Sequence, residues 1–404
     1  MINDNHVTAA LDLSRVHYNT NPLVARTLKK SILIGQEIEL LESIRTQDNP
    51  NNDFFYVTFD EIGIKAYHLG IDINLLDDVI IPKLNDADFF DIIDKDTVEI
   101  KFQNTKKIYD YGKLQIKGLN SDEKSILNLL ADGMIKPVPQ ERLDGVISIF
   151  PEMSQDPLKK FLMKTEIMSP ITVKNNTYYS SPKIYKNESQ FKSLLSNSTY
   201  DSVSDILEYL NENPGVPIRG LDPRIYNPNI INGLTLAGAI DPIELSIKGS
   251  STEYLVPSNL NSDRYDQDHL DLVKKTLANF RFGENYAKWK LNDLTRFLES
   301  LLDRGYAGNA TPIGTDYKNL ELAGIVRVSP VSGDKHRFWM QKKDVIQDTL
   351  NVLKGSASVI KNNPNTQLQQ MRNSVVSRMI LSNNKNDTIS DVTNALRKVQ
   401  RGIN

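Results

Sequence analysis

The stretch that most constrains this chain is Leu320-Glu321-Leu322-Ala323-Gly324-Ile325-Val326-Arg327-Val328-Ser329. It reads as the last turn of a helix passing directly into a strand. Gly324 suits the left-handed residue that closes a helix. The strand reaches a turn over residues 330–334 and returns as Lys335-His336-Arg337-Phe338-Trp339-Met340. The same text stands earlier as Leu234-Thr235-Leu236-Ala237-Gly238-Ala239-Ile240, with a turn at Lys248-Gly249-Ser250-Ser251 and a return at Glu253-Tyr254-Leu255-Val256. Two weaker echoes lie upstream. The chain is therefore expected to repeat one unit, a helical cluster closed by a hairpin.

A chain of 404 residues is too long for a single core and predicts about two to four domains. Its 39% apolar and 25% charged content is that of a globular protein. The absence of cysteine excludes disulfides, zinc ribbons and thiol catalysis. An acidic N-terminus and the lack of any apolar run near ~18 residues point to a cytoplasmic chain without a membrane span. The net charge of −3 gives no global attraction for nucleic acid, but it divides unevenly: residues 354–404 carry +6 and the remainder −9.

Taken in order, residues 1–22 lack a period and read as an extended arm. Leu28, Ile32, Leu40, Leu41 and Ile44 predict one long helix over 23–44 with a charged opposite face. Four units follow, over residues 55–110, 117–186, 196–260 and 265–353. In the first, Thr58 caps a helix closed by Gly70, and Asp72 or Asn74 caps a second that Pro82 kinks or shortens. Ser121 opens the second unit, and Asp201 and Ser202 open the third. Thr311-Pro312 caps the last helix before the final hairpin. Residues 354–366 read as a linker, and 367–399 as exposed helices. The fold class expected is mainly α with small β-hairpins (α+β), with helical extensions at both ends.

Helix, helix, helix and then a two-stranded hairpin with a projecting turn resembles the winged-helix variant of the helix-turn-helix, over roughly residues 55–353. The resemblance implies that the third helix of a unit enters the major groove while the hairpin turn touches the backbone. Those helices would be residues 75–86, 157–166, 228–237 and 312–323. The first carries Asp77, Asp78 and Asp86 against Lys83 and is repelled by phosphate. The second carries Lys159, Lys160 and Lys164. The third offers Asn229 and Asn232, types that contact base edges, and the fourth offers Lys318. The turns supply Lys95, Lys174, Lys248 and the group Lys335-His336-Arg337, while Arg219 and Arg224 stand in the middle segment of the third unit.

Catalytic signatures are sparse. There is no phosphate-binding G-x-x-x-x-G-K-[ST] loop and no G-x-S-x-G elbow. The histidines, His6, His17, His68, His269 and His336, are too scattered for a zinc site. Asp263, Asp266, Asp268, His269 and Asp271 cluster, but helix capping explains them more simply than a cation. Asp88 with Glu99-Ile100-Lys101 matches part of a metal-dependent nuclease pattern, yet lacks its proline and broad sheet. Tyr178, Tyr179, Phe338 and Trp339 on return strands either stack on bases or fill the core. No cofactor or metal is called for.

The function expected is non-enzymatic double-stranded DNA binding by tandem units, as a regulator or nucleoprotein component, with avidity from several weak modules. The alternative is a protein-interaction scaffold in a larger nucleic-acid-processing assembly, docking or self-associating through 23–44 and 367–399.

Overall fold

The computed structural model describes residues 2–16, 22–45, 55–102, 105–150, 155–221, 227–247, 250–258, 260, 267–285, 291 and 293–354. The chain divides into residues 1–360 and 361–404, and the second unit lies outside the described residues, together with the 367–399 segment expected to dock on partners.

The chain begins with α1 (Asp4–Val16), α2 (Pro22–Thr27) and α3 (Lys29–Arg45). The expected N-terminal arm is therefore a helix. In α1, Val7, Ala9, Ala10, Leu11 and Leu13 are buried, and so are Asp4, His6, Thr8 and Ser14. A helix covered on all sides has no solvent face, so its sequence has no apolar stripe to read. The expected 23–44 helix is interrupted after Thr27, and of its supposed charged face the bases Arg26, Lys29 and Lys30 are exposed while the acids are not. Gln36, Glu37, Glu39 and Glu42 are buried alongside Ile34, Ile38 and Leu41. Most of this segment is covered within the same chain by α1 and the later helices.

The first sheet-bearing segment comprises β1 (Phe55–Thr58), α4 (Phe59–His68), α5 (Ile73–Leu75), α6 (Ile81–Asp86), β2 (Phe90–Ile92) and β3 (Thr97–Ile100). Thr58 and Glu61 form a reciprocal capping box on α4, and Asp72 caps α5. A π-helical turn, Leu76–Ile80, joins α5 to α6. It lies directly ahead of Pro82, whose missing N–H and ring a regular α-turn would not accommodate. The second segment follows α7 (Thr105–Lys117) with α8 (Ser121–Gly133), β4 (Val138–Pro139), α9 (Gln140–Ile147), α10 (Gln155–Lys164), β5 (Ser169–Val173) and β6 (Asn176–Ser180). Its cap is Asn120, not Ser121: the Asn120 side chain accepts from the Glu123 amide.

After α11 (Glu188–Asn197), the third segment holds α12 (Tyr200–Glu212), β7 (Val216–Pro217), α13 (Pro228–Leu236), β8 (Ile240–Ile247) and β9 (Ser250–Pro257). Thr199, one turn before Ser202, caps α12, and Asn227 caps α13. Then α14 (Gln267–Asn285) leads to α15 (Leu294–Arg304), β10 (Tyr306–Ala310), α16 (Ile313–Asp316), α17 (Lys318–Leu322), β11 (Val326–Ser332), β12 (Lys335–Met340) and α18 (Lys343–Leu353). The helix expected over 312–323 is broken at Tyr317, a buried side chain packed edge-on to Phe338.

Each hairpin gains a third strand that the sequence did not announce. The sheets are ordered β1-β3-β2, β4-β6-β5, β7-β9-β8 and β10-β12-β11, all antiparallel. The added strands are short, two residues in β4 and β7, and two residues cannot display a period. The cores interlock along the chain. Ile171 and Val173 of β5 belong to the core beneath the third sheet, and Val256 of β9 to that beneath the fourth.

Candidate nucleic-acid interface

The period of two along β12 divides its side chains between two faces. Phe338 points inward and is buried, with Val328 and Ala307 beside it in the ladder. Lys335, Arg337 and Trp339 share the other face. Register places Trp339 between Tyr306 of β10 and Arg327 of β11, and Arg337 opposite Ser329.

This outer face is a guanidinium–aromatic ladder. The Arg337 guanidinium lies 4.7 Å from the Tyr306 ring and 5.7 Å from the Trp339 ring, and that of Arg327 lies 6.0 Å from Trp339. The two rings are 5.3 Å apart at 45°. Arg337 Nε donates to Asn309 Oδ1 at 3.0 Å, and Trp339 Nε1 donates to Ser329 Oγ at 2.8 Å. Among the described residues, no carboxylate forms an ion pair with Arg327, Lys335 or Arg337. Glu321 is engaged by the Val328 amide at 3.2 Å. The rings hold the cations by their π faces while guanidinium N–H edges remain for an anion, an arrangement suited to phosphate.

The expected turn cations are differently placed. The tip of this hairpin is Gly333-Asp334, so Lys335 begins the return strand and His336 and Arg337 lie within it. His336 projects from the other side of the strand, where its ring leaves no room for a side chain at Gly314, and its Nδ1 lies 3.0 Å from the Asp334 carbonyl oxygen. Lys174 is exposed at its turn with φ 54. Lys248 and Arg224 lie outside the described residues, whereas Arg219 is exposed on the short 3-10 turn Ile218–Gly220.

The helix candidates are best compared through the buried leucine near each helix end: Leu84, Leu162, Leu234 and Leu320. Two residues before it stand Pro82, Lys160, Asn232 and Lys318. Two residues after it stand Asp86, Lys164, Leu236 and Leu322. All eight are exposed, as is Asn229, further back on α13. Lys159 departs from expectation. It reaches Asp144 at 3.2 Å and covers the Tyr179 ring at 5.1 Å. Burial works against its charge, but bonds to Tyr179 and Asp144 outweigh that and raise its pKa. Lys159 therefore fastens α10 to α9 and β6, since it lies one residue from Lys160 and so on the helix flank facing the sheet.

The aromatic candidates separate in the same way. Tyr179 and Phe338 are core side chains. Tyr178 stacks on Tyr200 at 5.1 Å between neighbouring segments, and Trp339 alone of the four joins the outer cationic face. Asp88 is held by Lys101 and Lys107, and Lys101 also reaches Asp91 at 2.9 Å, so these acids are occupied by lysines. Of the acidic cluster, Asp263 and Asp266 lie outside the described residues, and His269 Nε2 meets Asp348 at 2.7 Å. Sequence reading missed Arg327 and Tyr306. The alternation Arg327-x-Ser329 against Lys335-x-Arg337-x-Trp339 is the signal that pairs one of them with the hairpin, while Tyr306 joins only through strand order.

Comparison with known proteins found no match to a family model, to a curated protein or to a solved structure.

Proposed function

We propose that this chain is a non-enzymatic DNA-binding protein made of tandem winged-helix units, with its firmest contact at the fourth. The observation that carries this reading is the set Arg327, Lys335 and Arg337, none ion-paired among the described residues, in which the Arg327 and Arg337 guanidinium groups are braced by Tyr306 and Trp339. Cations without a carboxylate partner gain most from releasing counterions off a polyanion, and the rings hold two of these three in place. The recurrent order of helix, short strand, helix and hairpin supports the winged-helix assignment. Asn229 and Asn232 supply base-edge chemistry on the third unit, and Lys160, Lys164, Lys174 and Lys318 supply phosphate chemistry on the second and fourth. Residues 55–102 stand apart: eleven carboxylates against four lysines give −7, so phosphate is repelled there.

The test is fluorescence anisotropy of a labelled duplex titrated with the full chain across a salt series. Affinity is expected to fall steeply with salt, and Arg327→Ala with Arg337→Ala to reduce the log–log slope by about two. An unchanged slope in the double variant would remove the fourth sheet from the interface. No duplex binding at about 50 mM salt would overturn the reading as a whole.

A further inference from the structure

The region that repels phosphate has a surface of its own. Seven of the twelve exposed large apolar side chains among the described residues fall within residues 55–102. Ile62 and Ala66 of α4 are buried, so Ile64, Tyr67 and Asp60 line the opposite side of that helix. Tyr67 is 80% exposed and Ile64 57%. Beyond the turn over residues 69–72, Ile73, Asp77 and Asp78 are exposed while Leu76 and Ile80 are buried.

The carboxylates on this face are not neutralised from within. Lys65 donates to the Ser43 carbonyl, Lys83 is bound to the buried Glu37, and Lys101 is bound to Asp88 and Asp91. Asp60, Asp77 and Asp78 have no ion-pair partner among the described residues. An apolar surface rimmed by unpaired carboxylates is complementary to a helix with an apolar stripe and cationic flanks.

We infer that the face formed by α4, the turn after it and α5 with its π-helical extension is a protein-docking site, whose occupant is a cationic amphipathic helix of another protein. The inference goes beyond DNA binding and stands if that reading fails. It accounts for four of the seven, Ile64, Tyr67, Ile73 and Val79, which a surface selected only for solvation does not require.

The probe is a fluorescent peptide of leucine and lysine at helical spacing, titrated with the full chain. Binding is expected to weaken by about tenfold in Ile64→Ser/Tyr67→Ser/Ile73→Ser and to a similar degree in Asp60→Asn/Asp77→Asn/Asp78→Asn. These positions are exposed, and unchanged thermal unfolding verifies that each variant folds. Failure of the peptide to bind the unmodified chain overturns the inference. So does a loss confined to the Asp variant, which marks unspecific charge attraction, or equal affinity in all three proteins.

Discussion

The amide of Ile325 donates to the carbonyl of Leu320 across 3.0 Å, with Gly324 between them at φ 66. Ala239 and Leu234 repeat the bond at 2.8 Å across Gly238, also at φ 66. Phe89 and Leu84 make it at 3.0 Å across Asp88 at φ 58, and in the second segment Glu166 takes φ 57 before Met168 bonds to Leu162 at 3.1 Å. The four helices thus end in one backbone device, a left-handed residue that turns the chain into its strand. Two of the four use glycine, and these are the two that share readable text.

This device predicts unequal costs at its two glycines. Gly324 has open space around it, so Gly324→Ala carries only the backbone cost of about 1 kcal/mol. Gly238→Ala is expected to cost more, because an added methyl would meet the Lys186 side chain at 2.8 Å. Lys174 adopts φ 54 at the first position of a two-residue hairpin turn, where glycine is preferred, so Lys174→Gly is expected to stabilise the chain by about 0.5–1 kcal/mol. Urea midpoints of the three variants check the order.

Lys159 and its neighbours separate structure from binding. Lys159→Met is expected to cost about 1 kcal/mol of stability, through loss of Asp144 and the Tyr179 ring, and to leave duplex affinity unchanged. Lys160→Ala/Lys164→Ala is expected to do the reverse, leaving stability within about 0.5 kcal/mol while lowering the salt slope. Paired unfolding and anisotropy measurements decide the matter; a drop in affinity for Lys159→Met at full folding would restore Lys159 to the interface.

Glu37 gives the fold a pH dependence. Its carboxylate is wholly buried, bonded to Lys83 at 2.7 Å and to the Tyr111 hydroxyl at 2.7 Å. Burial raises its pKa above 4.5, against the lowering pull of Lys83 and Tyr111. Well below 4.5 both folded and unfolded chains hold the proton, and the contribution is flat. As pH rises from there, the unfolded chain releases its proton first, and the folded state loses stability until its own carboxyl ionises. Stability of the unmodified protein minus that of Glu37→Gln is therefore expected to decline from about pH 4.5 upward. Denaturant titrations at stepped pH measure it, and a pH-independent difference would refute the assignment.

Lys274 is buried, and its ammonium is matched by Asp241. Asp241→Ala strands that charge and is expected to cost about 3 kcal/mol, whereas adding Lys274→Met recovers most of the loss. Thermal unfolding of the single and double variants tests the coupling; an additive result would mean that the pair does not act as a unit.

Junction grammar was legible from residues alone where it is local. Gly70, Gly238 and Gly324 take the left-handed conformation, and Thr58 and Asp72 cap the helices they precede. Asp88 and Glu166 concealed the same conformation, because residues other than glycine adopt it only rarely and so do not mark it in a sequence. The candidate site was half legible: Lys335, Arg337 and Trp339 alternate within one strand, but Arg327 and Tyr306 enter only through pairing.

What the sequence by itself determined was where helices stop and strands begin, since a capping hydroxyl or a left-handed glycine acts within a few residues of itself. Tertiary structure decided the rest. It covered α1 and most of α3, and it recruited Phe55 to lie opposite Ile100. It also drew Lys159 to Asp144 and gathered Tyr306, Arg327 and Arg337 around Trp339. Each of those outcomes depends on partners distant along the chain, and no local propensity encodes which distant partner will be met.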